Sequence, residues 1–211
     1  MKTEMDYTLY LVTDRDLMST QTLEQAVEQA ILGGCTVVQL REKTANSRLF
    51  YEQAQKIKRI TDRYNVPLII NDRADIALAV DAAGVHVGQS DLPADVVRGM
   101  LGPEKIIGVS VGSVAQAQKA KADGADYLGI GAMFQTDTKA DAEVVSMQTL
   151  RRIRETVDLP NVVIGGINQK TAGQFTKEVT DGLAVVSAII AQADIRGAAQ
   201  AMRRIFEENR A

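Results

Sequence analysis

The residues best suited to chemistry are polar tips, each following a short apolar run. Gln39-Leu40-Arg41-Glu42-Lys43 comes after Thr36-Val37-Val38, Asn71-Asp72-Arg73 after Leu68-Ile69-Ile70, and Asp91 closes Val85-His86-Val87-Gly88-Gln89-Ser90. Ser110 follows Ile106-Ile107-Gly108-Val109, and Thr136-Asp137-Thr138-Lys139 follows the run over 127–134. Gly165-Gly166 follows Val162-Val163-Ile164, and Ser187 follows Val185-Val186. If the apolar runs are parallel strands, these tips gather on one rim, where cations, carboxylates and small hydroxyls from distant parts of the chain meet.

Gln39, Arg41 and Lys43 are spaced two apart, so an extended chain points them to one side. Arg41 offers a planar fork and Lys43 a compact charge, a pairing suited to a diphosphate. The motif alone reads equally as a solvated charged loop; its place at a strand tip favours the anion site. Asp72 and Asp91 are candidates for a hard cation, because Mg²⁺ takes one or two carboxylates and completes its shell with water and phosphate oxygens. Asn71, beside Asp72, can bond to phosphate or to a heterocycle. The same aspartates also suit a helix cap and a turn before Pro93. Gly165-Gly166 and Val186-Ser187 fall after the seventh and eighth runs, where many barrels bind a phosphomonoester through backbone N–H groups. His86 lies between two valines inside a run, which favours a packing or supporting role over that of a general base. Lys139 can reach inward from a polar loop on a long ammonium chain, or stand as a solvated cation.

The elements that must position these residues are legible as alternation. Short apolar runs predict strands over 7–12, 35–40, 67–70, 84–87, 106–109, 127–130, 161–164 and 183–186. Helical spacing between them predicts helices over 22–32, 46–64, 74–80, 94–100, 113–122, 146–156, 169–178 and 195–208. In the second helix Leu49, Phe50, Ala54, Ile57 and Ile60 form the expected buried stripe, with Asn46 as its N-cap. The segment 131–143 is too long and polar for a minimal turn and reads as a functional loop. Eight βα units in about 200 residues predict an α/β fold, a (β/α)8 TIM barrel forming a single domain over 1–211. An open doubly wound sheet is the alternative, and eight repeats without an unpaired strand favour closure.

Composition excludes several classes. A formal charge of −3 over 211 residues gives no general attraction to nucleic acid or anionic membranes, so any polyanion site is local. No apolar stretch is long enough to span a bilayer, and Met1-Lys2-Thr3-Glu4-Met5-Asp6 lacks the order of a secretory signal, so a cytoplasmic location is expected. One cysteine and one histidine exclude a disulfide framework and a zinc site of the usual ligands. Cys35, without a nearby His, reads as core. A homo-oligomer is compatible with the sequence, which does not fix the number of subunits.

The tips as a set resemble the thiamine-phosphate synthase family, also called thiamine-phosphate pyrophosphorylase. The matching stretches are Val38 with Gln39-Leu40-Arg41-Glu42-Lys43, Ile70-Asn71-Asp72-Arg73, His86-Val87-Gly88-Gln89 with Asp91, Gly108-Val109-Ser110, Thr136-Asp137-Thr138-Lys139-Ala140-Asp141, Gly165-Gly166-Ile167 and Val186-Ser187. They run through nearly the whole chain in family order. The resemblance implies a transferase joining 4-amino-2-methyl-5-hydroxymethylpyrimidine diphosphate to 4-methyl-5-(2-phosphoethyl)thiazole, or its carboxylated form, with release of diphosphate. It implies that Gln39, Leu40, Arg41, Glu42, Lys43, Asn71, Ser110 and Lys139 hold the pyrimidine diphosphate, with one Mg²⁺ per subunit on Asp72 and Asp91. Thr136, Asp137, Thr138, Gly166, Val186 and Ser187 would hold the thiazole phosphate, and Lys139, Ser110, Arg41 and Lys43 would assist the chemistry. Two positions depart from the pattern: Gln135 stands where many members carry Pro, and Gly112 where many relatives carry His. The related thiazole tautomerase relies on a His at that second position, so its acid–base group is absent here. A non-catalytic ligand-binding barrel would have no need of the two aspartates and Lys139 together.

Overall fold

A computed structural model describes residues 4–136 and 143–209. Eight parallel strands close into a barrel in chain order. They are β1 Leu9–Val12, β2 Val37–Leu40, β3 Leu68–Asn71, β4 Gly84–Val87, β5 Ile106–Val111, β6 Tyr127–Ile130, β7 Asn161–Val163 and β8 Gly182–Val185, with β8 pairing back onto β1 through Leu9, Tyr10 and Leu11. Helices α1 Leu23–Leu32, α2 Ser47–Arg63, α3 Ala74–Ala79, α4 Ala94–Leu101, α5 Val114–Ala122 and α6 Met147–Thr156 follow the first six strands, and α7 Ser187–Ile190 and α8 Ile195–Glu208 follow the last. This is the expected TIM barrel.

Alternation along the strands builds two cores. Leu9, Leu11, Val38, Leu40, Leu68, Ile70, Val85, Val87, Ile107 and Val109 face outward and pack with the helices. The intervening residues Tyr10, Val12, Val37, Ile69, Ile106, Tyr127, Val162 and Ala184 fill the barrel centre. That alternation puts Gln39, Asn71, His86 and Ser110 on the inner side, near the C-terminal mouth. Helices α1, α2, α5, α6 and α8 begin where short polar side chains accept an otherwise unpaired N–H. Asn46 Oδ1 accepts from Leu49 N at 3.0 Å, and Ser113 and Ser146 do the same for α5 and α6.

Three local expectations fail. The segment predicted as a helix over 169–178 is a single 3-10 turn at Ala172–Gln174 followed by extended Phe175. Asn168 and Thr171 side chains close the first turn, and Asn209 at the end of α8 donates to the carbonyls of Gly173 and Phe175, supplying bonds that a helix would have made itself. The buried stripe of α2 runs through Phe50, Gln53, Ala54, Ile57 and Thr61, leaving Leu49 54% exposed and Ile60 half-buried. Leu49 lies one residue, about 100° of helix, off that stripe. Finally, β5 runs on to Val111, so Ser110 is a strand residue paired beside Gly129.

Candidate active site

The rim is assembled by charge as well as by strand order. Thr13, just past β1, donates its N–H to Gln39 O at 2.9 Å, and its hydroxyl accepts from Arg41 N at 3.0 Å, extending the ladder to the tip of β2. Three ion pairs then line up along the mouth. Arg41 Nη1 lies 3.2 Å from Asp14 Oδ2, Arg15 Nη2 lies 2.7 Å from Glu42 Oε1, and Lys43 Nζ lies 2.6 Å from Asp72 Oδ2. Arg41 and Lys43 both follow the β2 tip but reach opposite ways along the mouth, Arg41 toward the end of β1 and Lys43 toward the end of β3. Glu42 is nearly covered and engaged with Arg15. Leu40, expected to bind the pyrimidine diphosphate, turns its fully buried side chain toward the helices, and its backbone lies in the ladder opposite Ile70 of β3.

Asp72 and Asp91 meet across the tips of β3 and β4. Asp72 has a left-handed backbone, φ 62°, and its N–H donates to His86 O at 2.8 Å. It caps no helix, since α3 has Arg73 at its start without a side-chain cap. Asp91 Oδ2 does hold the turn, accepting from Gly88 N at 2.7 Å. Burial, and then the neighbouring Asp72 carboxylate, hold the Asp91 carboxyl above its ordinary range, although Gly88 N–H and the Lys43 ammonium pull the other way. Two adjacent carboxylates at a mouth open to solvent have the hard oxygen donors and the negative charge that a Mg²⁺ ion takes when substrate oxygens complete its shell. Among the described residues no group of three or more His, Cys, Asp or Glu side chains is poised around a common point.

Inside the mouth, polar side chains run across the barrel. Gln39 Nε2 donates to Tyr10 Oη at 2.8 Å, Tyr10 Oη lies 2.8 Å from Tyr127 Oη, Tyr127 Oη lies 2.9 Å from His86 Nδ1, and His86 Nε2 lies 2.9 Å from Ser110 Oγ. Burial holds the imidazole pKa down to about 4, so it is neutral near pH 7, and the same burial raises both phenols. His86 is therefore a supporting group with both nitrogens engaged. Asn71, buried on the inner side beside it, makes no side-chain hydrogen bond among the described residues. Ser110 is further fixed by Gln89 Nε2, which donates to its carbonyl at 2.8 Å.

The second predicted anion site lies at the tips of β6 to β8. Met133 N donates to Ile164 O and Phe134 N to Gly165 O, carrying the chain after β6 alongside the glycine turn after β7. Gly165 and Gly166 have φ 93° and 66°, and a Cβ on Gly166 would lie 2.6 Å from Phe134 Cβ and 3.1 Å from Gln135 O. That approach sets Phe134 and Gln135, the residues just before Thr136, against Gly166. Val186 and exposed Ser187 stand at the tip of the adjacent β8. Asp137, Thr138 and Lys139 lie outside the described residues.

Sequence reasoning missed Thr13 and Asp14, although they follow an apolar run just as the other tips do. It also missed Tyr10 and Tyr127, whose aromatic character reads as core. At the opposite end of the barrel, Asp181 binds Arg154 and the N–H of Asn161, ties that brace the start of β7 and β8.

A closed parallel barrel with cations, paired carboxylates and a glycine turn gathered at its C-terminal mouth has the make-up of a small-molecule enzyme of the TIM-barrel class. The sequence model of the thiamine monophosphate synthase family matches residues 9–189. The chain is 61% identical over 206 residues to the thiamine-phosphate synthase of Clostridium beijerinckii, covering 98% of this chain and 99% of that one. It is 63% identical over 206 residues to the thiamine-phosphate synthase of Ruminiclostridium cellulolyticum, covering 98% of each. The solved structure of thiamine phosphate pyrophosphorylase from Pyrococcus furiosus superposes with a TM-score of 0.89 at 41% identity over 97% of both chains. The chain belongs to the thiamine monophosphate synthase family, and it is a transferase of thiamine biosynthesis, EC 2.5.1.3. Among the described residues no helix is long and apolar enough to cross a membrane.

Proposed function

We propose that this barrel joins 4-amino-2-methyl-5-hydroxymethylpyrimidine diphosphate to 4-methyl-5-(2-phosphoethyl)thiazole, or its carboxylated form, giving thiamine monophosphate and diphosphate in the cytoplasm. The observation that carries this reading is the meeting of Lys43, Asp72 and Asp91 at three successive strand tips, beside the inward polar groups Gln39, Asn71 and Ser110. The first cluster suits a metal-bound diphosphate and the second an aminopyrimidine. Thr136, Gly166, Val186 and Ser187 form the separate place for the thiazole phosphate, with Asp137 and Thr138 assigned there by family pattern.

In this reading Asp72 and Asp91 hold one Mg²⁺, which when bound supplies positive charge to the diphosphate oxygens. Arg41 and Lys43 bind the same diphosphate from the β2 tip, and Lys139 joins them by family pattern. These cations stabilise the charge that builds on the leaving oxygen as the C–O bond breaks. The pyrimidine's own amino group feeds electrons to the exocyclic methylene, and the thiazole nitrogen then attacks that carbon. No protein nucleophile is needed, which agrees with a site whose only histidine has both nitrogens engaged. Gly112 carries no acid–base side chain, and its N–H is taken by Gln116 Oε1 at 2.7 Å, which disfavours a tautomerase.

The test is a mixing assay. Diphosphate release that requires both substrates and Mg²⁺ supports the synthase. Release from the pyrimidine alone, or isomerisation of the thiazole without release, contradicts it.

A further inference from the structure

Five polar side chains in the barrel centre form one unbroken series, Gln39 to Tyr10 to Tyr127 to His86 to Ser110, in steps of 2.8, 2.8, 2.9 and 2.9 Å. It starts on β2 and ends on β5, and both ends stand among the residues expected to hold the pyrimidine. The space it occupies is kept open by glycine. A Cβ on Gly108 would run into the Tyr127 ring and His86 Nδ1, and one on Gly129 would lie 2.9 Å from His86 Cε1 and 3.2 Å from Nε2.

Such a series has a direction. A phenol has one hydrogen to give, and a neutral imidazole has one donor and one acceptor nitrogen, so fixing one link fixes every other. Gln39 gives an amide hydrogen to Tyr10. Tyr10 must then give its hydrogen to Tyr127, and Tyr127 to Nδ1 of His86. The imidazole carries its proton on Nε2 and donates to Ser110 Oγ, so the serine hydrogen is left for a ligand. At the other end, Gln39 Oε1 is left as an acceptor. The opposite order would need the Gln39 amide turned over, showing NH₂ to the mouth and leaving Ser110 without a hydrogen for an incoming anion.

We propose that this chain is a directional relay of hydrogen bonds that holds His86 in its Nε2-protonated form, and so presents Ser110 as a donor and Gln39 as an acceptor to the substrate. Tyr10, Tyr127 and His86 are positioning residues that touch no reacting atom. The pattern fits an aminopyrimidine carrying an anionic group: the exocyclic amine gives a hydrogen to Gln39, and Ser110 gives one to a ring nitrogen or phosphate oxygen. This assignment of ligand rests on the proposed reaction, whereas the direction of the chain does not.

His86 is the chain's only histidine, so the imidazole nitrogens give a single unambiguous set of NMR signals in ¹⁵N-labelled full-length enzyme. The expected result without substrate is a neutral ring protonated at Nε2 and bare at Nδ1. A ring protonated at Nδ1 overturns the proposal whether or not the enzyme releases diphosphate, and the expected ring form stands even if the reaction proves different. Tyr127→Phe keeps the ring and removes the middle link. It should lose the single Nε2-protonated form and raise KM for the pyrimidine diphosphate roughly tenfold, with KM for the thiazole phosphate changed less than about twofold. An unaltered ring form and unaltered KM would overturn the relay. Tyr10→Phe is read in the same way, and the wild-type spectrum decides the direction if either variant fails to fold.

Discussion

Lys43 Nζ lies 2.6 Å from Asp72 Oδ2, so the cation from one strand tip neutralises the carboxylate of the next. The same ammonium also acts on Asp91. A metal ion arriving with diphosphate would take over Asp72 and free Lys43 for the substrate's own negative charge. Chelation by EDTA should therefore abolish turnover, and Mg²⁺ should restore it. Asp72→Asn and Asp91→Asn should each raise the half-saturating Mg²⁺ concentration roughly tenfold or more while the circular dichroism spectrum is unchanged. Lys43→Ala should not raise it. Full activity of either Asn variant at limiting metal would remove that aspartate from the metal site.

Gly166 tests the second anion site. Its φ of 66° and the 2.6 Å approach to Phe134 Cβ leave no room for a side chain. Gly166→Ala should lower stability by roughly 1–3 kcal/mol in urea titrations and raise KM for the thiazole phosphate more than KM for the pyrimidine diphosphate. A variant as stable as the wild type would show that this turn is not constrained in the way described.

The buried imidazole gives a pH signature. Its pKa is lowered from 6.5 to about 4, chiefly by burial, so between those values the unfolded chain binds a proton that the folded chain does not. Stability should rise with pH across that window and be lost as pH falls through it, by about 3 kcal/mol for this group. Urea midpoints of wild type and His86→Gln measured from pH 4 to pH 7 isolate it, because other titrating groups cancel in the difference. A difference that does not change with pH would mean that His86 titrates normally in the fold.

Much of the scaffold was readable because each strand is buried on both faces and so stands in the sequence as a short, nearly continuous apolar run, and because Asn46, Ser113 and Ser146 announce their helices. The segment around Phe175 was misread because Ala172, Phe175 and Val179 have helical spacing, while the bonds that replace the helix come from Asn209, far along the chain. The four residues of α7 are too few to show a period. At the site, Arg41, Lys43, Asp72 and Asp91 stood out as charges at strand tips. Tyr10 and Tyr127 did not, since 117 residues separate them and nothing local says that their hydroxyls meet in the barrel centre.

The central claim is that one rim carries two separate anion sites, one at the β2 to β5 tips and one at the β6 to β8 tips. The most direct measurement is calorimetric titration of two variants with each ligand in the presence of Mg²⁺. Lys43→Ala should weaken the pyrimidine diphosphate roughly tenfold or more and change the thiazole phosphate less than about twofold. Ser187→Asp should do the reverse, because a carboxylate at the β8 tip repels the phosphomonoester. Equal losses for both ligands in both variants, or the opposite pairing, would contradict the account.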